Sequence, residues 1–238
     1  LTPTNIQWLG EVPESWVRSS FGRTKTVLTD FTANGSFADL KKNVTYIDSP
    51  SYARLVRLTD LRKNLKNSDG VWVDQRAYDY LSKSALTGGE FLLANVGAYA
   101  GLFWEMPFID TLATLAPNMF MAKFDENKVT REFMAWVGKS HPTEQQLFLA
   151  ATGASAQPKL NKDDFKSVAI AIPTLQEQQT IVAYLDSTCG KIDELINKAE
   201  QAITLLKERR TALISAAVTG KIDVRGETSE GIGRKEKG

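Results

Sequence analysis

Apolar residues recur at the three- and four-residue spacing of an amphipathic helix from residue 173 to residue 220. Thr174 is placed to cap this helix, Glu177 supplies the acid favoured in a first turn, and Gly220 follows its end. At 1.5 Å per residue, an unbroken helix of forty-odd residues is roughly 65 Å long. A compact domain of about 170 residues has a radius of gyration near 15 Å and cannot cover a stripe of that length. We therefore expect part of the helix to pack against another helix.

The apolar stripe of this helix is wider than the two-position seam of a simple coiled coil. Such a width suits a helix that contacts more than one partner surface. Gly190 costs about 1 kcal/mol relative to alanine in mid-helix and leaves a bend or a break open at that point. Arg209 and Arg210 interrupt the stripe near its end, and we expect them to meet carboxylates on a partner. The residues predicted to carry helix pairing are Ile181, Leu185, Ile192, Leu195, Ile196, Ala199, Ile203, Leu206 and Leu213.

Residues 1–172 have the pattern of one mixed α/β domain. Short β-branched and aromatic runs predict strands at "VTYID", "ARLVRLTDL", "GVWVD", "EFLLANVGAYAGLFW", "NMFMAKF" and "SVAIAIP". Helical spacing from Thr130 to Leu149 predicts helices interrupted near Pro142, with Thr130 as the N-cap. The predicted fold is a mixed α/β domain (1–172), a long helix acting as a coiled-coil-like spacer (173–220) and a charged flexible tail (221–238).

Composition excludes several classes of protein. Cys189 is the single cysteine and His141 the single histidine, so internal disulfides are excluded and a zinc site has too few soft ligands. No run of eighteen or more uncharged apolar residues and no basic-then-apolar leader occur. We expect a cytoplasmic protein without a membrane segment, metal or cofactor.

No catalytic constellation stands out. The segment "ANVGAYAG" lacks the spacing and the lysine of a phosphate-binding loop and predicts a tight turn instead. Asp110, Glu126 and Lys128 resemble the carboxylates and lysine of metal-dependent nucleases. Because "DENK" has the pattern of a polar turn between a strand and a helix, where charged residues are expected anyway, the polar turn is favoured and the nuclease is kept only as an alternative.

The segment from Arg18 to Lys66 is clearly basic, with ten basic residues against four acidic ones. Its arginines are accompanied by Tyr46 and Tyr52 and are followed by further tyrosines. Arginine matches the hydrogen-bonding edge of guanine, lysine attracts phosphates, and counterion release supplies affinity that falls with salt. DNA binding is therefore one hypothesis, and a coiled-coil scaffold without DNA affinity is another.

Several stretches occur together in an order that resembles one family. They are "IQWLGEVPESW", "VRLTDL", "GEFLLANVGAYAG", "TGASAQPKLNKDDFKSVAIAIPTLQEQQTIVAYLD" and "KIDELINKAEQAITLLKERRTALISAAVTGKIDV". Their order is similar to that of the specificity subunits of type I restriction-modification enzymes, over nearly the whole chain. The resemblance implies a non-catalytic DNA-recognition subunit whose long helices set the distance between two recognition domains.

The resemblance also implies partners. Methyltransferase (modification) subunits and a restriction subunit would supply the chemistry, and the apolar stripe would dock methyltransferase subunits. The chain has one recognition domain and one helical region where the family has two of each, so we expect a second half of a longer subunit or a natural half-subunit. A half-subunit would pair its helix with a second copy.

The residues expected to face DNA, some on phosphates and some on bases, are Lys41, Lys42, Arg54, Arg57, Arg62, Lys63 and Lys66. Gln157 and Lys159 lie in the motif most like the family's and either contact DNA or shape the loop, of which we favour the second.

Overall fold

The structure is a computed structural model that describes residues 1–4, 8–152 and 157–224. The predicted tail beyond residue 224 and part of the "TGASAQPKL" motif (153–156) lie outside the described residues. The chain divides into two compact units, Leu1–Val182 and Ala183–Gly238. Within the described parts of the chain, no helix is long and apolar enough to cross a membrane.

The strands alternate with short helices throughout the first unit. The strands are β1 Thr2–Pro3, β2 Glu11–Val12, β3 Val17–Ser20, β4 Lys25–Asp30, β5 Ala53–Val56, β6 Val71–Val73, β7 Ala85–Leu86, β8 Phe91–Ala94, β9 Phe103–Glu105, β10 Ala113–Leu115, β11 Met119–Phe124 and β12 Ala169–Ile172. The helices are α1 Phe21–Thr24, α2 Phe37–Asn43, α3 Leu58–Arg62, α4 Gln75–Tyr80, α5 Arg131–Lys139, α6 His141–Thr152, α7 Lys162–Ser167 and α8 Leu175–Val218. Short 3-10 turns occupy Phe31–Asn34 and Ser82–Ser84. The predicted mixed α/β class followed by a long helix is confirmed.

Two four-stranded sheets form the centre of the first unit. One has the order β4-β11-β8-β9 and is antiparallel throughout. The other has the order β6-β5-β10-β7, in which β5 and β10 run parallel and the outer pairs run antiparallel. Two smaller pairs, β1-β2 and β12-β3, complete the described sheets. The parallel β5-β10 pair joins segments about sixty residues apart, which no local pattern predicts.

Strands β8 and β11 are buried on both faces, and their side chains alternate between two cores. Phe91 and Leu93 pack into a phenylalanine-rich core with α5, α6 and α7, whereas Leu92 packs into a second core with Val56 and Leu115 of the other sheet. This two-sided burial explains why the strands are continuous apolar runs rather than alternating ones. A third core lies under α2 and α4 on the remaining face of the β5 sheet.

Several local predictions are confirmed and two are wrong. Thr130 caps α5 by accepting a hydrogen bond from the Phe133 amide, and the helices separate at Ser140, two residues before Pro142. The run "VTYID" forms no strand, since only Ile47 makes an isolated bridge, to Trp72. The run "ARLVRLTDL" is a strand only to Val56 and then becomes α3.

Helix α8 begins at Leu175 with the predicted capping residues. Thr174 Oγ1 accepts from the Glu177 amide at 3.2 Å, and the Thr174 amide donates to Glu177 Oε2 at 3.0 Å. The helix is continuous through Gly190, so the break left open by the sequence does not occur. Its 44 residues correspond to roughly 66 Å.

Sequence reasoning missed the anchor of this helix. Gln178 is fully buried; its amide nitrogen donates to the carbonyls of Lys128 and Pro173 at 2.9 and 3.0 Å, and its oxygen accepts from the Thr130 amide at 2.8 Å. The first helical turns are thereby tied to the turn between β11 and α5.

Candidate nucleic-acid interface

Strands of both four-stranded sheets end at a common edge. The Ala116 amide, just after β10, donates to the carbonyl of Val56 at the end of β5, at 3.0 Å. Three residues later β11 begins, and Met119 pairs with Ala94 at the end of β8. The segments that follow β5, β8 and β10 therefore lie together. We call residues 57–69, 95–101 and 116–118 the loop edge.

A buried carboxylate organises the first segment of the loop edge. Asp60 is fully buried, and its two oxygens accept hydrogen bonds from the Arg57 amide (2.8 Å), from Arg57 Nε and Nη2 (3.0 and 2.9 Å) and from Asn67 Nδ2 (2.7 Å). Burial alone would raise the pKa of Asp60, but the hydrogen bonds from Arg57 and Asn67 outweigh it and lower that pKa below its ordinary value. Asp60 is therefore ionised at neutral pH and closes α3 against the loop that follows.

The loop after α3 is held in an uncommon backbone conformation. Asn64 and Leu65 have φ angles of 50° and 57°, in the left-handed region that non-glycine residues rarely adopt. Arg54 supports this shape because its guanidinium donates to the Leu65 carbonyl at 2.7 Å and to Asn67 Oδ1 at 2.8 Å. Such strain persists only where surrounding contacts over-determine it, and it concentrates at functional sites.

The structure separates the predicted DNA-facing residues into two groups. Arg54 is only 8% exposed, and Arg57 is engaged by Asp60 and also donates to the Asp69 carbonyl at 2.6 Å. Both guanidinium groups are committed to protein partners, and this geometry favours a supporting role for them. The side chains of the other predicted cations are exposed, namely Lys41, Lys42, Arg62, Lys63, Lys66 and Lys159.

Arg62 and Tyr99 connect the first two segments of the loop edge. The Arg62 guanidinium carbon lies 4.5 Å from the centre of the Tyr99 ring, and the tyrosine is 41% exposed. Lys63 pairs with Asp69 at 3.4 Å across the loop, between two exposed side chains. Neither Arg62 nor Lys66 forms an ion pair within the part of the chain that the structure describes.

The segment 95–101 makes the predicted tight turn. The described end of the "TGASAQPKL" motif, residues 157–160, lies against this turn. Val96 forms a bridge with Lys159, the Gly97 amide donates to the Pro158 carbonyl at 2.9 Å, and the Leu160 amide donates to the Asn95 carbonyl at 2.9 Å. Gln157 and Lys159 are both exposed. The structure thus brings Arg62 and the Gln157–Lys159 segment to one loop, although about ninety-five residues separate them in sequence.

Lys41 and Lys42 lie in the last turn of α2 beside an apolar groove. The groove has a volume of about 590 Å³ and is lined by Phe31, Phe37, Leu40, Lys41, Val44, Thr45, Tyr46 and Pro117. Because Pro117 belongs to the loop edge, the groove is continuous with it. Sequence reasoning missed Phe37, which is 79% exposed; an aromatic residue directly after a capping serine was the available signal.

Helix α8 carries the residues predicted for helix pairing. Ile181 and Leu185 are partly exposed, whereas the later members of the stripe are largely exposed, with Leu195 at 65% and Leu206 at 62%. Arg209 and Arg210 form no ion pair with any residue that the structure describes. An apolar stripe of this length is the kind of surface that marks an interaction site.

The three residues of the nuclease alternative form no recognisable metal centre. Lys128 pairs with Asp125 at 3.2 Å in the turn after β11, as expected for a polar turn. Over residues 1–4, 8–152 and 157–224, no cluster of three or more carboxylate, imidazole or thiol groups is arranged to hold a metal ion.

An exposed cationic edge suits binding to a polyanion, and a long helix with an exposed apolar stripe suits contact with another protein surface. A family model described as the type I restriction modification DNA specificity domain matches residues 79–205, just over half of the 238-residue chain. The chain belongs to this family.

Curated relatives agree with this membership. The chain is 24% identical to the EcoKI specificity subunit of Escherichia coli (strain K12) and 22% identical to the StySPI specificity subunit of Salmonella potsdam, each over 90% of its length. It spans only 44% of either relative. Both relatives are named specificity subunits, which agrees with the prediction of a non-catalytic chain.

Solved structures show the same fold. A chain from a type I restriction-modification system matches with a TM-score of 0.66 at 17% identity, covering 88% of this chain and 47% of that one. The HsdS subunit from Thermoanaerobacter tengcongensis matches with a TM-score of 0.58 at 17% identity, covering 90% and 47%.

Proposed function

We propose that this chain recognises one half of a bipartite double-stranded DNA target as the non-catalytic specificity subunit, or half-subunit, of a type I restriction-modification complex. The observation that carries the proposal is the loop edge, where separate segments of a specificity-domain fold present arginine, lysine and tyrosine side chains together. A nucleic acid is the natural ligand of this edge, since exposed cations contact phosphates and planar donors and aromatic surfaces contact bases, and the matched DNA specificity domain favours DNA.

The exposed cations and the two arginines that bind protein partners have different roles in this proposal. We assign Arg62, steadied by Tyr99, to a base edge and Lys41, Lys42, Lys63 and Lys66 to phosphates, while Gln157 and Lys159 shape or contact the same site. Arg54 and Arg57 hold α3 and the strained loop in position. A guanidinium stacked on an aromatic ring loses little further freedom when it binds, which favours specific over diffuse contacts.

The long helix gives the complex its geometry. We assign residues 1–172 to target recognition, 173–220 to the spacer and 221–238 to a charged tail. In this assignment the apolar stripe pairs with an equivalent helix, either of a second copy or of the other half of a longer subunit. It also docks the modification subunits, and the assembled complex recruits the restriction subunit. Arg209 and Arg210 meet carboxylates of these partners.

A binding titration against a library of random duplexes tests this function. The chain, alone and together with modification subunits, should enrich a defined half-site, and its affinity should fall steeply with salt concentration. Absence of sequence preference in both settings would exclude the proposal. Salt-independent or undetectable binding would favour the scaffold alternative, and magnesium-dependent cleavage by the chain alone would favour the nuclease.

Two single substitutions separate base contacts from phosphate contacts. Arg62→Ala should lower affinity for the enriched site by roughly 10-fold or more and relax the preference at one position, whereas Lys66→Ala should weaken all duplexes similarly and reduce the salt slope by about one. Lys128→Ala is the matched control, because Lys128 lies beyond the far end of β11 from the loop edge. Equal losses in all three variants would contradict the assignment.

A further inference from the structure

The groove beside α2 has an unusual combination of surfaces. Its floor is made of the buried side chains Phe31 and Leu40, each 4% exposed, whereas its rim carries Phe37 at 79% and Tyr46 at 51% exposure. Large aromatic side chains exposed around one groove are costly in water and mark binding surfaces. The groove is therefore shaped to accept an apolar group.

The positive charge beside the groove indicates which class of ligand it binds. Lys41 lines the groove and Lys42 follows it, and neither forms an ion pair among the described residues. The acid on the same helix, Asp39, accepts a hydrogen bond from the Ser36 hydroxyl at 2.6 Å within the helix cap. The surroundings of the groove therefore suit an apolar group carried by a polyanion, which is the character of a nucleobase in DNA.

The chemistry of the rim narrows the choice of base. A phenylalanine ring neither donates nor accepts a conventional hydrogen bond, so it cannot distinguish the donor and acceptor patterns of the base pairs. In the major groove the base edges present one apolar feature, the 5-methyl group of thymine.

We propose that Phe37 and Tyr46 form a subsite for the 5-methyl group of a thymine in the recognised half-site, with Lys41 and Lys42 on the flanking phosphates. The subsite is continuous with the loop edge through Pro117, so one duplex reaches both. This inference rests on the proposed DNA-recognition function and adds a specificity-determining site that the basic residues alone do not provide.

Uracil substitution tests the subsite, because uracil lacks only the methyl group of thymine. Each thymine of the enriched duplex is replaced in turn, and binding by the full chain with its modification subunits is measured. One buried methyl group contributes about 0.8 kcal/mol, so at one thymine the replacement should weaken wild-type binding about 4-fold. Phe37→Ala should bind the thymine duplex less tightly and should no longer distinguish thymine from uracil there.

Two further variants make the result decisive. Tyr46→Ala should reduce the same discrimination, and it serves as the second probe if Phe37→Ala does not fold, as judged by thermal melting. Phe108→Ala should keep the full discrimination. Phe108 is also a largely exposed phenylalanine, at 65%, but it lies beside Gly88, which precedes β8 at the end of that strand opposite the loop edge.

The inference is overturned if wild type shows no uracil effect, if the enriched site contains no thymine, or if the folded Phe37 and Tyr46 variants keep full discrimination. These results would leave the proposed function intact, since sequence preference would still be present. A chain without any sequence preference would instead overturn the proposed function and the subsite together.

Discussion

The buried Asp60 network provides a sharp test of how the loop edge is built. In the substitution Asp60→Asn, one carboxylate oxygen becomes an NH2 group of nearly the same size. Oδ1 accepts from Arg57 Nη2 and Asn67 Nδ2, while Oδ2 accepts from the Arg57 amide and Arg57 Nε. Each oxygen thus faces two donors, so either orientation of the amide sets an NH2 group against two N–H groups.

The expected loss of stability follows from these contacts. Two hydrogen bonds to a charged acceptor are lost, at about 1.5 kcal/mol each, giving a destabilisation of about 3 kcal/mol. Larger losses accompany the breaking of fully buried ion pairs, but the Arg57 side chain is 33% exposed and regains some water. For a domain whose total stability is about 5–15 kcal/mol, a loss of this size is readily measured.

Urea unfolding followed by tryptophan fluorescence measures this effect, and Trp72 is a local reporter because it pairs with Arg54 across the sheet. Asp79→Asn is the matched control; Asp79 is exposed, and its loss should change stability by less than about 0.5 kcal/mol. A change below about 1 kcal/mol in Asp60→Asn would refute the reasoning about the network.

DNA affinity gives a second, sign-sensitive readout of the same substitution. Removing a negative charge would by itself strengthen binding to a polyanion. If Asp60 instead positions α3 and Arg62, Asp60→Asn weakens binding to the enriched site despite the gain in positive charge. Tighter binding by the folded variant would show that Asp60 does not position the DNA-contacting residues.

Three further predictions concern the spacer, its anchor and the response to acid. Leu195→Asp should convert a helix-paired dimer of the isolated chain to monomer in analytical ultracentrifugation, whereas a wild-type monomer would contradict pairing between copies. Gln178→Leu removes the three hydrogen bonds of the buried Gln178 side chain and should lower the free energy of unfolding by about 2–3 kcal/mol. The exposed Gln179→Leu is the control, and equal melting of the two variants would contradict the anchor. Burial alone would raise the pKa of Glu90, but hydrogen bonds from Thr87 and the Lys123 ammonium outweigh it and lower that pKa. The stabilising contribution of the ionised carboxylate is therefore present at neutral pH, and it is lost as pH falls below the ordinary range of a glutamate and through the lowered pKa of the folded state. The stability of Glu90→Gln should therefore approach that of wild type in denaturation curves recorded at successively lower pH, and a gap independent of pH would refute this.

Local patterns determined much of the fold. The cap at Thr174, the course of α8, the break beside Pro142 and the strands β6, β8, β11 and β12 follow from spacing, capping and side-chain shape. The helix continues through Gly190 because one unfavourable residue costs about 1 kcal/mol, a cost spread over 44 residues of cooperative hydrogen bonding.

Local pattern was misleading where a contact across the chain decided the outcome. The residues after Val56 have the pattern of a continued strand. Asp60 instead accepts hydrogen bonds from the Arg57 amide and side chain, and these bonds stabilise the first turn of α3. Likewise "VTYID" has strand-like composition, yet Ile47 alone pairs, with Trp72. β-propensity reflects what a segment packs against, so it fails when neighbours along the chain do not supply a partner strand.

The sequence by itself determined that the chain has a basic segment, a mixed α/β domain and a long apolar-striped helix, because composition and periodicity are properties of neighbouring residues. Only the tertiary structure decided which cations are available. Arg54 and Arg62 have the same side chain in one short segment, but Arg54 points at Leu65 and Asn67 inside the domain while Arg62 lies on Tyr99 at the surface. The loop edge itself exists because the parallel β5-β10 pair and the β8-β11 pair bring distant strand ends together, and such pairings depend on cores shared by the whole domain.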